Sequence, residues 1–189
     1  MSTRSCVLRT LSDAIARRKA ELILYEEVFR ELHRLRVRYL VTGGIAVNLH
    51  GYARLTMDLD IMLDLEESNL VKFVEAMENL GYEPRVPVAK LDVISSQKRE
   101  VWIREKGAIV FTFIEPARPY REVDIFLSNP IDFSNAYAGK HTFVVNDIPI
   151  PVASVKDLVF MKKKSDRPRD REDIIHLERL EQLKGGKPK

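Results

Sequence analysis

The chain has 189 residues, of which 45% are hydrophobic and 31% are charged, and its formal net charge is +3. This length is sufficient for one domain with its own core, and the weak positive charge permits a nucleic-acid partner without requiring one. Because Cys6 is the single cysteine, an internal disulfide and a cysteine-rich zinc site are excluded. We expect a cytoplasmic protein, since the sequence contains neither the apolar core of a signal peptide nor a segment long enough to span a membrane.

The first part of the chain is predicted to open with helix and then to change to strand. Residues 8–36 have an amphipathic helical pattern, as one long helix or two short ones, because apolar residues recur at three- and four-residue steps. A short strand is expected at residues 37–41, and the Gly43-Gly44 pair is interpreted as a turn. A short helix then follows at residues 45–50 and ends at Gly51.

The middle of the chain is predicted to alternate between strands and helices. A strand is expected at residues 58–63, and helices are expected at 66–80 and 91–106. Two β-rich runs, 108–114 and 122–127, flank a turn-prone stretch that contains two prolines. We therefore expect these two strands to be antiparallel neighbours.

The last part of the chain is predicted to be a hairpin followed by helices. Residues 142–151 form an extended segment or hairpin, and Ser154 is a plausible N-cap for a helix that ends near Ser165. A final helix is expected at residues 169–183. Residues 185–189 form a short basic tail.

Two carboxylates lie in an apolar run that is predicted to be a buried strand. Side chains two residues apart in a strand point to the same face, so Asp58 and Asp60 should project together, with backbones about 6–7 Å apart. Leu59 and Ile61 then point into the core. Asp124 lies in a similar run on a candidate neighbouring strand. The sequence therefore predicts that three carboxylates converge.

Three carboxylates without histidine or cysteine nearby favour a hard cation. Like charges at close range raise one another's pKa unless a cation compensates them, and oxygen ligands select Mg²⁺ or Mn²⁺. Two such ions about 3.5–4 Å apart are the usual machinery for displacement at phosphorus. Glycines at a helix N-terminus would add backbone N–H groups for phosphate oxygens. Alone, a Gly-Gly pair indicates a tight turn and an Asp-x-Asp pair a solvated strand edge, but together they favour a metal-dependent site.

The spacing of these residues resembles a known superfamily. Gly43-Gly44, thirteen further residues, the Asp58 and Asp60 pair and then Asp124 look like the polymerase-beta-type nucleotidyltransferases. More narrowly, the stretch GGIAVNLHGYARLTMDLDI and the distal stretch MKKKSDRPRDREDI are similar to the AbiEii-like nucleotidyltransferases, many of which are toxins of toxin–antitoxin pairs. The resemblance covers most of the chain, from residue 37 to residue 180.

The resemblance implies a role for each matching position. In that family the paired aspartates and the third aspartate bind the metals, the glycine turn holds the triphosphate, and the distal lysine and Arg-x-x-Asp box complete the nucleotide site. The matching positions are Asp58, Asp60 and Asp124 for the metals and for catalysis, Gly43 and Gly44 for the triphosphate, and Lys162, Arg167 and Asp170 for the distal box.

The resemblance also implies the fold. We expect an α/β chain of the α+β type with the nucleotidyltransferase fold, in which a small mixed sheet packs on helices and a C-terminal helical part forms the other wall of the active-site cleft. The whole chain, residues 1–189, would be one nucleotidyltransferase domain. Its N-terminal helical segment would be 1–36, its catalytic core 37–151 and its C-terminal helical part 152–189.

Some residues near these motifs keep two interpretations. Arg54 contacts phosphate or only pairs with Asp58, and it stands with Thr56 as a further nucleotide-binding candidate. At least two of Lys162, Lys163 and Lys164 are expected to lie on a solvated helix face. The aromatic and apolar residues of the middle segment, Trp102, Ile103, Phe111 and Phe113, are expected in the core or on a sheet face, without a function.

The expected reaction is transfer of a nucleoside monophosphate from an NTP to an acceptor hydroxyl, with release of pyrophosphate. The implied cofactor is Mg²⁺ or Mn²⁺, and the implied partners are the NTP, tRNA or another RNA, and a cognate antitoxin protein. The acceptor hydroxyl belongs to a tRNA end, a protein or a small molecule such as an aminoglycoside, and the sequence does not decide among them. The alternative is a non-catalytic nucleotide- or partner-binding module with the same fold.

Overall fold

The computed structural model describes residues 24–185, so the predictions for residues 1–23 and 186–189, including Cys6, lie outside the described part. The α-helices are α1 (Glu26–Arg34), α2 (Gly43–His50), α3 (Glu67–Asn79), α4 (Ser96–Lys106), α5 (Phe133–Ala138), α6 (Val155–Ser165) and α7 (Pro168–Gly185). The strands are β1 (Tyr39–Val41), β2 (Leu59–Leu63), β3 (Glu83–Pro84), β4 (Val110–Glu115), β5 (Arg118–Phe126), β6 (His141–Val145) and β7 (Ile148–Val152). A 3-10 helix, Lys90–Ile94, precedes α4.

The strands form one mixed sheet in the order β3-β4-β5-β2-β1-β7-β6. The pairs β2–β5 and β1–β7 are parallel, and the other neighbouring pairs are antiparallel. The predicted fold class, a mixed sheet packed on helices, is confirmed. The division of the chain into three segments stays a prediction.

The two faces of the sheet are covered to different extents. The main core includes Phe29 of α1, Phe73 of α3, and Ile61 and Phe113 of the sheet. A smaller cluster on the other face places Met62 against residues of α5. Because side chains two residues apart in a strand share a face, Asp60 lies on the same face as Met62. The small cluster therefore covers the part of this face near Met62. The part near Asp60 stays uncovered and forms one wall of a cleft.

The β6–β7 hairpin and the N-cap of α6 have the structure that the sequence predicts. The β6–β7 hairpin turns at Asn146 and Asp147, whose φ values of 46° and 64° belong to the left-handed region that short polar side chains tolerate in tight hairpin turns. Ser154 caps α6, because its Oγ accepts a hydrogen bond from the backbone N–H of Asp157 at 3.1 Å. Both predictions are confirmed.

Three predicted boundaries are wrong. The Gly43-Gly44 pair forms the first turn of α2 rather than a turn before it. The segment predicted as one helix at 91–106 is a 3-10 helix followed by α4, because Ser95 accepts a hydrogen bond from the N–H of Lys98 and starts a new helix. Strand β5 begins at Arg118, inside the predicted turn, because Arg118 already pairs with Glu115 across a two-residue connection.

Asp58 is also displaced from its predicted position in the strand. Strand β2 begins at Leu59, so Asp58 lies one residue before the ladder and is exposed. Within residues 24–185, the helices are too short or too polar to cross a bilayer.

Candidate active site

Two of the predicted carboxylates face each other across the parallel strands β2 and β5. Asp60 pairs with Asp124 in the register of these strands. Thr112 lies opposite Asp124 on β4 and donates a hydrogen bond from Oγ1 to its Oδ1 at 2.5 Å. This bond fixes one oxygen of Asp124 and leaves the other for a second partner.

Asp60 and Asp124 line a cleft of about 510 Å³ between the sheet and the C-terminal helices. Of the ten site residues that the sequence predicts, all but Asp58 and Thr56 line this cleft; the eight are Gly43, Gly44, Arg54, Asp60, Asp124, Lys162, Arg167 and Asp170. Residues distant in sequence are therefore neighbours in space.

The carboxylates repel one another. Burial is the main cause that raises the pKa of Asp60 to about 6, and the charges of Asp124 and Asp58 raise it further, against the opposing effects of Lys162 and the Gly44 N–H. The pKa of Asp124 is also raised, mainly by burial, although its bond with Thr112 opposes the shift. Asp58 thus acts on both buried carboxylates, although it is exposed and does not line the cleft.

The glycines at the start of α2 allow the close approach of this helix to the carboxylates. Gly43 has a φ of 60°, and a Cβ at this position would overlap the Asp60 carboxylate. A Cβ on Gly44 would lie 2.7 Å from Nη2 of Arg54 and would overlap the hydroxyl of Thr56. The Asp60 carboxylate accepts a hydrogen bond from the Gly44 N–H. Since the positive end of a helix binds anions, Asp60 occupies the position that a phosphate oxygen would need.

We expect Gly43→Ala to destabilise the protein more than Gly107→Ala. Both glycines have a φ of 60°, but a Cβ on Gly107 would meet no atom within 4 Å, whereas a Cβ on Gly43 collides with Asp60. Gly107→Ala should therefore cost only the backbone strain, about 1–2 kcal/mol. Urea unfolding measures both variants, and equal free energies of unfolding would contradict the close contact with Asp60.

Lys162 is the centre of an ion-pair network between α6 and α7. Its Nζ lies 3.1 Å from Oδ1 of Asp170 and 2.7 Å from Oδ2 of Asp173, which is fully buried. Nε of Arg54 lies 3.0 Å from Oδ1 of Asp173, near enough for an ion pair although the geometry is not that of a hydrogen bond. Arg54 thus pairs with Asp173, and the prediction that it pairs with Asp58 is wrong. The network ties the loop before β2 to α7.

Comparisons with solved structures agree with this arrangement of sheet, cleft and helices. The antibiotic-resistance factor ANT(2'')-Ia superposes with a TM-score of 0.54 at 13% identity, over 88% of this chain and 85% of that chain. The lincosamide antibiotic adenylyltransferase LnuA, bound to lincomycin, superposes with a TM-score of 0.54 at 18% identity, over 85% of this chain and 96% of that chain. The chain has the nucleotidyltransferase fold.

The complex of ANT(2'')-Ia with adenylyl-2''-tobramycin gives a TM-score of 0.51 at 14% identity, over 88% of this chain and 90% of that chain. No protein-family model matches the chain, and no curated protein matches it. These comparisons establish the nucleotidyltransferase fold, and the polymerase-beta-type and AbiEii-like resemblances stay predictions.

The carboxylate pair of this nucleotidyltransferase fold suits a divalent cation by its chemistry. Within residues 24–185, no three His, Cys, Asp or Glu side chains form a group that could hold a metal ion. However, Asp60 and Asp124 offer oxygen ligands alone, and their pKa values are raised first by burial and then by repulsion between carboxylates, which a bound cation would relieve. Asp60 is instead turned towards Gly44. A bound ion would therefore compete with α2 for this carboxylate.

Some residues of the site were missed by the sequence analysis. Lys163 and Lys164 are exposed, as the lysine run predicts, but Lys164 also lines the cleft, and Ile103 lines the cleft rather than the core. Asp173 joins the ion-pair network, and its position three residues after Asp170 on a helix was the signal for it. Thr112 is a polar residue within the apolar run of β4, which was its signal.

The Tyr25 hydroxyl connects the two segments that carry the carboxylates. It accepts a hydrogen bond from the backbone N–H of Glu122 at 3.0 Å and lies 2.6 Å from the carbonyl oxygen of Met57. Met57 precedes Asp58, and Glu122 lies two residues before Asp124. Tyr25 is therefore a positioning residue for the acidic side of the cleft.

We expect Tyr25→Phe to lower the free energy of unfolding by about 1–3 kcal/mol, because it removes the hydrogen bonds of the buried hydroxyl to partly buried backbone groups. Tyr82→Phe is the matched control, since Tyr82 is equally buried and its hydroxyl has no hydrogen-bond partner within the described part of the chain. Urea unfolding of both variants measures the difference. Equal losses of unfolding free energy in the two variants would show that the hydrogen bonds of the Tyr25 hydroxyl do not stabilise the fold.

Proposed function

We propose that this protein is an enzyme that transfers a nucleoside monophosphate from an NTP to an acceptor hydroxyl and releases pyrophosphate. The observation that carries the proposal is the direct pairing of Asp60 with Asp124 across parallel strands, at a cleft that also contains the start of α2 and the cations of α6 and α7. The nucleotidyltransferase fold supports it.

The proposed roles follow from charge and position. Asp58 and Asp60 would hold Mg²⁺ or Mn²⁺ at the phosphates, and Asp124 would hold an ion near the acceptor. Such ions neutralise phosphate charge and lower the pKa of the attacking hydroxyl. Gly43 and Gly44 would donate backbone N–H groups to the triphosphate once Asp60 turns away from α2.

The cations that line the cleft differ in whether a carboxylate already forms an ion pair with them. Lys162 shares its charge with Asp170 and Asp173. Lys164 and Arg167 line the same cleft, and no carboxylate of the described residues lies within ion-pair distance of either. Arg167 also lowers the pKa of Asp124, so its charge acts near the acidic side. We therefore assign Arg167 and Lys164 to the triphosphate, with Lys162 mainly holding the wall in position.

Titration calorimetry with a non-hydrolysable ATP analogue tests this function against a non-catalytic binding module. We expect binding that requires Mg²⁺ or Mn²⁺ and that is weakened by Asp124→Asn. Binding of the same strength with a chelator present, and in the Asn variant, would favour the non-catalytic module.

A cytoplasmic location agrees with the proposed use of an NTP and with the single cysteine.

The resemblance adds a second candidate acceptor, a tRNA 3′ end within a toxin–antitoxin pair. Cationic residues of α6 and α7 support this candidate, but Lys163 pairs with Glu178 at 3.0 Å and Arg171 with Asp166 at 3.0 Å. Binding of tRNA should then appear at low salt and weaken as a power of salt concentration. Absence of binding at low salt would exclude tRNA as the acceptor.

A further inference from the structure

One end of the cleft is apolar and lies beyond the carboxylates. Along the β4–β5 pair, Thr112 and Asp124 are followed by Val110 opposite Phe126, all in the register of the two strands. Two residues along a strand correspond to about 6–7 Å. Val110 and Phe126 line the cleft and lie on the same strand faces as Thr112 and Asp124. The apolar surface thus begins one side chain away from Asp124.

The loop between α4 and β4 extends this surface. Ile103, Ala108 and Ile109 line the cleft, and Ile109 is 66% exposed. Ile109 belongs to a group of apolar side chains that line one part of the cleft, and such apolar linings are typical of ligand-binding surfaces. We call Ile103, Ile109, Val110 and Phe126 the apolar end.

Charge separates the apolar end from the rest of the cleft. Among the described residues, the cations that line the cleft are Arg54, Lys162, Lys164 and Arg167, which come from the loop before β2 and from the C-terminal helices. The cleft lining contributed by residues 103–110 and 126–130 carries no charged side chain within the described part. Arg104 and Lys106 lie in the same segment and are exposed, but they do not line the cleft, so a polyanion inside this end would meet no cation among the lining residues.

We propose that the apolar end is the acceptor subsite and that the acceptor is an uncharged small molecule with an apolar face beside its reacting hydroxyl. This inference rests on the proposed nucleotidyl transfer. The acceptor oxygen would form a bond to the α-phosphorus, the bond from the α-phosphorus to the bridging oxygen would break, pyrophosphate would leave, and the hydroxyl proton would be released to water. The triphosphate lies at the cationic wall, so the acceptor approaches from the apolar end, next to Asp124.

Fluorescence of prodan, a neutral apolar dye, tests the subsite in the full-length protein. We expect Ile109→Asn to weaken prodan binding about tenfold, the loss that one covered aliphatic side chain predicts. The matched control is Ile175→Asn, because Ile175 is 65% exposed on α7 and does not line the cleft. Both substitutions are at exposed positions and are uncharged, so the fields at Asp60 and Asp124 stay unchanged. Equal prodan affinity in the two variants would overturn the subsite.

The same titration with a saturating Mg²⁺ complex of a non-hydrolysable ATP analogue separates an acceptor subsite from a base-binding site. We expect prodan to remain bound, because the acceptor and the nucleotide occupy different ends of the cleft. Displacement of prodan by the analogue would assign the apolar end to the nucleotide base and overturn the acceptor assignment.

Transfer from α-labelled ATP to tRNA and to a panel of hydroxyl-bearing small molecules, including lincomycin and tobramycin, completes the test. Label on an uncharged apolar molecule, reduced in Ile109→Asn and retained in Ile175→Asn, supports the inference. Label on tRNA or on the polycationic tobramycin, unaffected by Ile109→Asn, would overturn it while the nucleotidyl transfer stands. Failure to bind the ATP analogue would remove the proposed function itself, together with the acceptor role.

Discussion

Replacing Asp60 by asparagine is expected to abolish nucleotidyl transfer and to stabilise the metal-free protein at neutral pH. Asn keeps the shape of the side chain and removes a charge that burial disfavours and that Asp124 and Asp58 repel. Because a pKa shift is a difference in folding free energy between protonation states, a pKa of about 6 corresponds to a penalty of order 1–3 kcal/mol at pH 7. Thermal unfolding in a chelating buffer measures the gain in Tm, and a transfer assay measures the loss of activity.

The pH dependence of this gain has a defined sign. The folded-state pKa of Asp60 is raised above its ordinary value of 3.8, so the penalty is absent at low pH and develops as pH rises from about 4 to about 6. The stability advantage of Asp60→Asn should therefore vanish near pH 4 and be complete above about pH 6. Saturating Mg²⁺ should then stabilise the wild type more than the variant. An Asn variant with unchanged turnover would remove this carboxylate from the mechanism.

Replacing Lys162 by methionine is expected to cause the largest loss of stability, about 3–5 kcal/mol, because Asp170 and Asp173 lose the cation that they share and only Asp173 keeps an ion-pair partner, Arg54. Asp173 is fully buried and Asp170 nearly so. Lys163→Met is the matched control, since Lys163 is the next residue, is exposed and pairs only with the exposed Glu178. Surface pairs of that kind contribute about 0–1 kcal/mol. Urea unfolding of the two variants measures the difference.

A combined variant separates the structural role of Lys162 from a role in phosphate binding. Lys162→Met with Asp170→Asn and Asp173→Asn removes the buried charges together and should recover part of the lost stability. In this folded background, ATP binding that is weakened much more than AMP binding would assign Lys162 to the β- and γ-phosphates. If Lys162→Met and Lys163→Met have the same small effect, the ion-pair network is not important for stability.

The acidic half of the site was accessible from sequence because its signals are local. The two-residue period of a strand predicts that Asp60 leaves the core while its neighbours enter it, and the apolar run around Asp124 indicates a second strand of the same kind. Their direct opposition depends on the parallel pairing of β2 with β5, which is a tertiary contact. Sequence patterns indicate which residues share a face and do not set the register between distant strands.

The cationic half of the site was only partly accessible. The pairing of Arg54 with Asp173 joins residues far apart in the chain, and no local period encodes it. Ile103 was expected in the core because it is apolar, yet it lines the cleft, since α4 is largely polar and only Arg99 of this helix is buried. The glycine pair was interpreted as a turn because Gly-Gly pairs are typical of turns. Gly43 does have a positive φ, but the chain continues directly into α2.

ATP labelled at a single phosphate tests directly whether this site transfers a nucleoside monophosphate. The wild-type protein and Asp60→Asn are incubated with Mg²⁺, a cell extract as the source of acceptors, and ATP labelled on either the α- or the γ-phosphate. We expect the wild type to transfer the α-label to an acceptor and to release the γ-label as pyrophosphate. We expect Asp60→Asn to transfer no α-label and to release no labelled pyrophosphate. Transfer of the γ-label to an acceptor, or transfer of the α-label at the same rate by Asp60→Asn, would contradict nucleotidyl transfer at this site.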